Sequence, residues 1–226
     1  LSLFTRGFLP GETLTERLNL LAAPHRPHKG FAQIAPHLND VPGQAVARAR
    51  EHFHGKVSYA SIPTEGVDWT PFDIIGVDAY HSQELAHQYR AGLCALVAQD
   101  KPVAITECGC ATFQGASDRS GSGGMIVTYE SRRPARLNGD YIRAEAEQAT
   151  HLRELLSIVT AEEVDAVFVN TFVSYHLPHR RDSHLDLDMA SYGLVKVLEE
   201  RPAHCYPDMV WEPKAAFATL AALYAG

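Results

Sequence analysis

Between Lys101 and Cys110 the chain reads KPVAITECGC, a short apolar run from Pro102 to Thr106 that stops at Glu107. Val103, Ile105 and Thr106 are β-branched, and polar and apolar residues do not alternate. This is how a strand buried on both faces of a parallel sheet reads. Parallel strands are joined through crossover helices, so this stretch restricts the chain to α/β architectures. In (β/α) barrels the C-terminal ends of the strands carry the chemistry. Glu107, placed directly after the run and followed by Gly109, is therefore a catalytic candidate. A strand-end glutamate paired with an arginine is the alternative.

The rest of the chain supplies the alternation that such a strand needs. Lys56–Ile62 (KVSYASI), Phe72–Tyr80 (FDIIGVDAY) and Val164–Val173 (VDAVFVNTFV) read as further strands, the last two ending in Asp78, Tyr80 and His81 and around Asn170 and Thr171. Helices are expected over Pro42–Phe53, Gln83–Ala98, Asp140–Val159 and from Pro213 to Tyr224. In the long one, Ile142, Ala146, Ala149, Leu152, Leu155 and Leu156 are expected to face inward. An earlier helix, Thr13–Leu21, carries a capping box of Thr13 and Glu16, and Leu1–Phe4 reads as the tail of a strand, as though the chain starts inside an element. Ala111–Asn138, with Gly115, Gly121, Gly123 and Gly124, reads as a long irregular connection with its GSGG run as a flexible cover, and the stretch up to Met189 as a polar loop. Phe72 and Phe168 are strand-interior and read as core.

From Lys56 onward the order is strand, helix, four times over, with connections that suit right-handed parallel crossovers. Four such units are half of a (β/α)8 barrel, and each strand end carries polar residues where a barrel places its site. The expectation is a single domain over residues 1–226, the C-terminal part of a TIM-type barrel whose N-terminal half lies outside the sequence. A doubly wound sheet also fits the alternation, but no glycine-rich first turn opens a strand–helix junction. GSGG at 121–124 lacks the Lys-Ser/Thr of a phosphate loop, and no cofactor is expected.

Composition narrows the partners. A net charge of -7 argues against a nucleic-acid surface, and the basic clusters Arg132, Arg133, Arg136 and Arg180, Arg181 are short enough to be solvated loops. No apolar run reaches the ~20 residues of a membrane span. The four cysteines are too few and scattered for a disulfide framework, which points to a reducing cytoplasm. Cys108 and Cys110 read as small buried residues beside the strand end, with metal or thiol chemistry as the alternative. His176, His179, His184, Asp186 and Asp188 invite a metal reading, but their loop lacks a helix to hold a His-x-x-His pair rigid. The expectation is no metal, with Asp186 or Asp188 available for sugar hydroxyls. Tyr59, Trp69, Tyr80 and Phe172 are candidates for stacking on sugar faces.

FDIIGVDAY followed by KPVAITECG resembles the last strands of the retaining glycoside hydrolases of clan A, over roughly Lys56–Tyr224. ITECGC with Gln114-Gly115-Ala116, together with DLDMASYGLVKV and YPDMVWEPKAAF, is similar to bacterial proteins of that type labelled abortive infection proteins, a label that implies phage defence. The resemblance implies Glu107 as nucleophile at the end of strand seven and Asp78, Tyr80 and His81 at the end of strand six. It places Asn170 where strand eight commonly presents an aromatic platform. Here VNTF carries no Trp. The clan's acid/base Glu ends strand four, often after an Asn; no Asn-Glu pair occurs, and Leu1–Phe4 begins where that strand would finish. Glu12, Glu16 and Glu65 are the possible substitutes.

Two function classes follow. One is a retaining glycosidase with Glu107 as nucleophile and a carbohydrate substrate; the other is a non-catalytic barrel that binds a carbohydrate or a protein. Either is expected to self-associate through open sheet edges.

Overall fold

The computed structural model describes residues 12, 13, 16, 29–82, 86–130, 133–199 and 201–225. The chain divides into two compact units, Leu1–Asp78 with Lys101–Ala104, and Ala79–Asp100 with Ile105–Gly226.

In the first unit, helix α1 (Lys29–Arg50) precedes strands β1 (Ser58–Ser61) and β2 (Ile74–Asp78). These pair in parallel, from Ser58 opposite Ile74 to Ser61 opposite Val77. α1 starts earlier than its sequence pattern implies and carries Pro36 and Pro42 inside it rather than opening at Pro42. A proline removes one ladder bond, and the buried Leu38 and Val46, two turns apart on one stripe, hold the helix on across it. Phe53, expected on that stripe, falls beyond the last turn and is exposed. Asp73 ties the connections together, accepting from Arg50 Nη2 (2.8 Å) and Val57 N (2.7 Å). The Thr13–Glu16 capping box forms, each residue's side chain accepting from the other's backbone N–H at 3.2 Å. The remainder of that helix, and Leu1–Phe4, lie outside the described residues.

The second unit contains α2 (Ala86–Val97), most of β3 (Val103–Cys108), the hairpin β4 (Val127–Glu130) and β5 (Arg133–Leu137), α3 (Glu145–Ala161) and β6 (Ala166–Val169). The hairpin β7 (Val195–Val197) and β8 (Trp211–Pro213) and helix α4 (Ala215–Ala225) complete it. The main sheet has the order β1-β2-β3-β6. The protein is α/β with a parallel sheet, as the sequence pattern implies.

Three stretches differ from expectation. Ala111–Asn138 is not irregular throughout: a short helical segment, Ala116–Ile126, runs into the β4–β5 hairpin, and Phe113, Ala116, Ile126 and Leu137 join Leu187 and Met189 in one buried cluster. These cluster residues are too widely spaced in the sequence to show a period. The loop up to Met189 likewise ends in a buried turn, Leu187–Ala190, and the β7–β8 hairpin beyond it has strands too short to register as a pattern. α3 begins at Glu145, so Ile142 is 69% exposed, and Ala146 is exposed too. Residues just before α3 are held extended instead, by a bridge between Phe113 and Arg143 and by Gln114 N donating to Ile142 O (2.8 Å). Leu152, Leu155, Leu156 and Val159 form the buried face, where Leu152 meets Ala216 of α4.

Phe168 also departs from its reading as core. It is 59% exposed, because no described element covers its face of β6 at the end of the sheet order.

Candidate active site

β3 delivers Glu107 as a consequence of its own burial. Val103, Ile105 and Cys108 are sealed, which fixes the strand, while Glu107 remains half-buried at the strand's end. Gly109 follows for a steric reason: a Cβ there would sit 2.5 Å from the carbonyl oxygen of Asn170. That close approach lets Asn170 N donate to Cys108 O at 2.8 Å and brings the end of β6 alongside Glu107. On the other side, Ala79 N donates to Glu107 O (2.8 Å), which sets Tyr80 beside it.

Three side chains from these strand ends converge. Tyr80 OH donates to Glu107 Oε2 at 3.0 Å, and Asn170 Nδ2 donates to Tyr80 OH at 2.8 Å and, more weakly, to Glu107 Oε2 at 3.4 Å. Glu107 Oε1 has no hydrogen-bond partner among the described residues. The carboxylate is thus anchored by one oxygen and offers the other. Burial, reinforced by the negative charge of Glu107, pushes the Tyr80 phenol well above its ordinary range, although the Asn170 hydrogen bond opposes this. Tyr80 therefore stays a neutral donor throughout the working pH range.

The wall behind Tyr80 was not expected. The Tyr192 ring meets it edge-on, centroids 5.6 Å apart, and Tyr192 OH accepts from Gly124 N (3.1 Å). The glycines of the 116–126 segment make this possible, since a Cβ on Gly123 would lie 3.1 Å from Tyr192 OH and one on Gly121 3.3 Å from the Tyr80 ring. Only the density of glycines hinted at it.

The other candidate residues go elsewhere. His81, next to Tyr80, is buried against Tyr89 (5.0 Å) and His151 (5.5 Å between centroids). Neither of its ring nitrogens has a hydrogen-bond partner among the described residues, and burial lowers its pKa. Asp186 is buried with its oxygens taken by Arg143 Nη1 (3.0 Å), His179 Nδ1 (2.9 Å) and Arg180 N (3.2 Å). Although burial opposes it, these partners hold its carboxyl below the usual range. Arg143 also reaches Asp188 (2.6 Å) and Glu145 (3.0 Å), and Lys196 Nζ meets Glu145 at 2.8 Å. Beneath them Lys214 Nζ donates to Thr112 Oγ1 (2.7 Å), its pKa brought down to about 8 by burial. Asp186 thus belongs to an ion network that fastens its loop to α3. The exposed His184 ring lies 3.7 Å from Asp140, and no group of three or more metal-ligating side chains forms among the described residues.

In the first unit, Tyr59 OH donates to the buried Glu65 (3.2 Å) and stacks on Phe72, and Trp69 lies edge-on against the same ring. Asp78 closes β2, half-buried. Cys108 and Cys110 are buried free thiols, each pushed up to about 12 by burial.

Fold and site together define an α/β protein with a singly anchored carboxylate at the C-terminal end of a parallel strand. No protein-family model and no curated protein matches the chain. Among solved structures it is similar to a GH113 β-1,4-mannanase (TM-score 0.48, 16% identity, over 60% of this chain and 41% of that one). It is also similar to a GH113 β-mannanase from Alicyclobacillus acidocaldarius (0.42, 20%, over 61% and 41%) and to a β-glucuronidase from Ruminococcus gnavus (0.47, 13%, over 83% and 29%). The chain spans about two fifths of the length of the mannanases. Likenesses of this size carry no argument about chemistry, which has to come from the residues themselves.

Proposed function

We propose that the chain is part of a glycoside-hydrolase-like (β/α) barrel in which Glu107 attacks the anomeric carbon of a carbohydrate. The observation that carries this is the Glu107 carboxylate itself, held through Oε2 by Tyr80 and Asn170 with Oε1 unengaged among the described residues. A retaining hydrolase needs its nucleophile oriented and ionised, then converts it to a glycosyl ester that water cleaves. Donors fixed on one oxygen aim the other without consuming it.

The attack is testable apart from general acid catalysis. A 2,4-dinitrophenyl 2-deoxy-2-fluoroglycoside loses its phenolate without protonation: the bond from C1 to the phenolic oxygen breaks, Glu107 Oε1 bonds to C1, and dinitrophenolate leaves as the anion. Incubation with the gluco, manno and xylo reagents is expected to add one fluoroglycosyl mass to the peptide containing Glu107, and none in Glu107→Gln. Labelling at another residue, or by none of the three reagents, overturns the assignment.

A second reading is a non-catalytic carbohydrate- or protein-binding barrel, in keeping with the abortive-infection resemblance. It is favoured by one observation: the hydrogen-bonded cluster at Glu107 contains no second carboxylate among the described residues. Sugar binding without covalent labelling would select it.

A further inference from the structure

Beyond Asn170 the chain builds an exposed aromatic cluster with no role in the hydrogen bonds around Glu107. Phe172 is 44% and Tyr206 43% exposed, and between them stands Trp211 of β8, its ring 5.3 Å from Phe172 at 84° and 5.1 Å from Tyr206 at 46°. Phe217 of α4 supports Phe172 from behind at 6.4 Å.

The cluster is fixed to the strand end that carries Asn170. Leu194 N donates to Thr171 O (2.9 Å), Val195 N to Phe172 O (3.1 Å) and Leu198 N to Val210 O (2.7 Å), while Trp211 lies opposite Val197 in the hairpin. Rings held this rigidly lose little entropy when they bind, yet in water their outer surface is a standing cost. Their ligand must present an apolar face of ring size. Charge selects its class: the chain carries -7 overall, Asp208 is exposed in the segment that carries Tyr206, and the hairpin cations Lys196 and Arg201 are paired with Glu145 at 2.8 Å and Glu212 at 3.2 Å. A polyanion is disfavoured there, whereas the C–H faces of neutral pyranose rings meet both conditions.

We propose that Phe172, Trp211 and Tyr206 form a platform for neutral sugar units of an oligosaccharide, one or more residues removed from the unit at Glu107. This rests on the carbohydrate reading above but needs no turnover. Calorimetric titration with the β-1,4-linked hexaoses of glucose, mannose and xylose is expected to show binding of at least one. Trp211→Ala and the more exposed Tyr206→Ala should each weaken it about tenfold, the scale of one lost aromatic contact. Circular dichroism identical to the parent checks the fold of each variant, and Phe172→Tyr should retain affinity. Glu107→Gln should bind the same hexaose with its platform dependence intact, so a failed covalent label would remove the hydrolase reading and leave this one standing. The proposal is overturned if no hexaose binds, or if both alanine variants bind as the parent does. It is equally overturned if Trp211→Ala lowers the mass seen by light scattering while leaving sugar affinity unchanged, which would make the cluster an interface between copies.

Discussion

Tyr80 holds the acceptor oxygen of Glu107 with a phenol that does not ionise in the working range, so its hydrogen bond persists at any pH where an enzyme operates. A hydrogen bond to a charged group is worth about 1.5–3 kcal/mol. Tyr80→Phe is accordingly expected to slow covalent labelling of Glu107 roughly 10–100-fold, read as the rate of dinitrophenolate release. An unchanged rate would mean that Asn170 alone orients the carboxylate. The same phenol makes an alkaline prediction. Above about pH 10 unfolded tyrosine ionises while Tyr80 does not, so the unfolded state holds fewer protons and stability falls as pH rises. Urea midpoints at pH 9 and 10.5 should fall less in Tyr80→Phe than in the parent. These residues were legible because a strand end is a strong marker: Glu107, Tyr80 and Asn170 each follow a readable apolar run. Tyr192 was not, since it lies between a buried turn and a three-residue strand and nothing in its spacing ties it to Tyr80.

At the level of elements, α3 carries an acid-sensitive face. His151 is buried on it beside His81, and burial, with that neighbour's charge, brings its pKa down to about 4 against an ordinary 6.5. Between those values the unfolded chain takes up a proton that the folded one refuses, so stability drops as pH falls from about 6.5 towards 4, on the order of 2–3 kcal/mol. His151→Leu should flatten that slope, measured as urea midpoints at pH 7.5 and 5; an unaltered slope would assign it to other groups. The ion network before α3 gives a larger effect. Arg143→Met leaves Asp186 and Asp188 buried without their shared cation, at a cost of about 3–5 kcal/mol, visible as a lowered melting temperature. Hydrophobic periodicity located α3 but could not report that Gln148 and His151 sit on its buried side, where Gln148 Nε2 serves the carbonyls of Cys110 (2.8 Å) and Gly193 (3.2 Å). A pattern that counts only apolar residues assigns such polar positions to solvent.

For the whole molecule, alternation of strands and helices was enough to give the α/β class and the parallel pairing, because burial on both faces leaves a composition that few other structures share. It was blind to the hairpins, which use short strands with polar residues, and to which strand faces stay uncovered. β6 ends the sheet order with Phe168 in solvent. Such an edge is expected to recruit a second copy, so sedimentation should give a mass that rises with concentration, and Phe168→Lys should suppress the rise. A constant monomer mass would exclude pairing at that edge. Lys214 offers a way to time how the molecule breathes. Only 2% of its surface reaches water and its amine is tied to Thr112, whereas Lys56 is exposed. An acylating reagent meets Lys56 at once and Lys214 only when the packing around it parts. The delay between the two modifications, followed by mass spectrometry, makes a native lysine into a clock for opening.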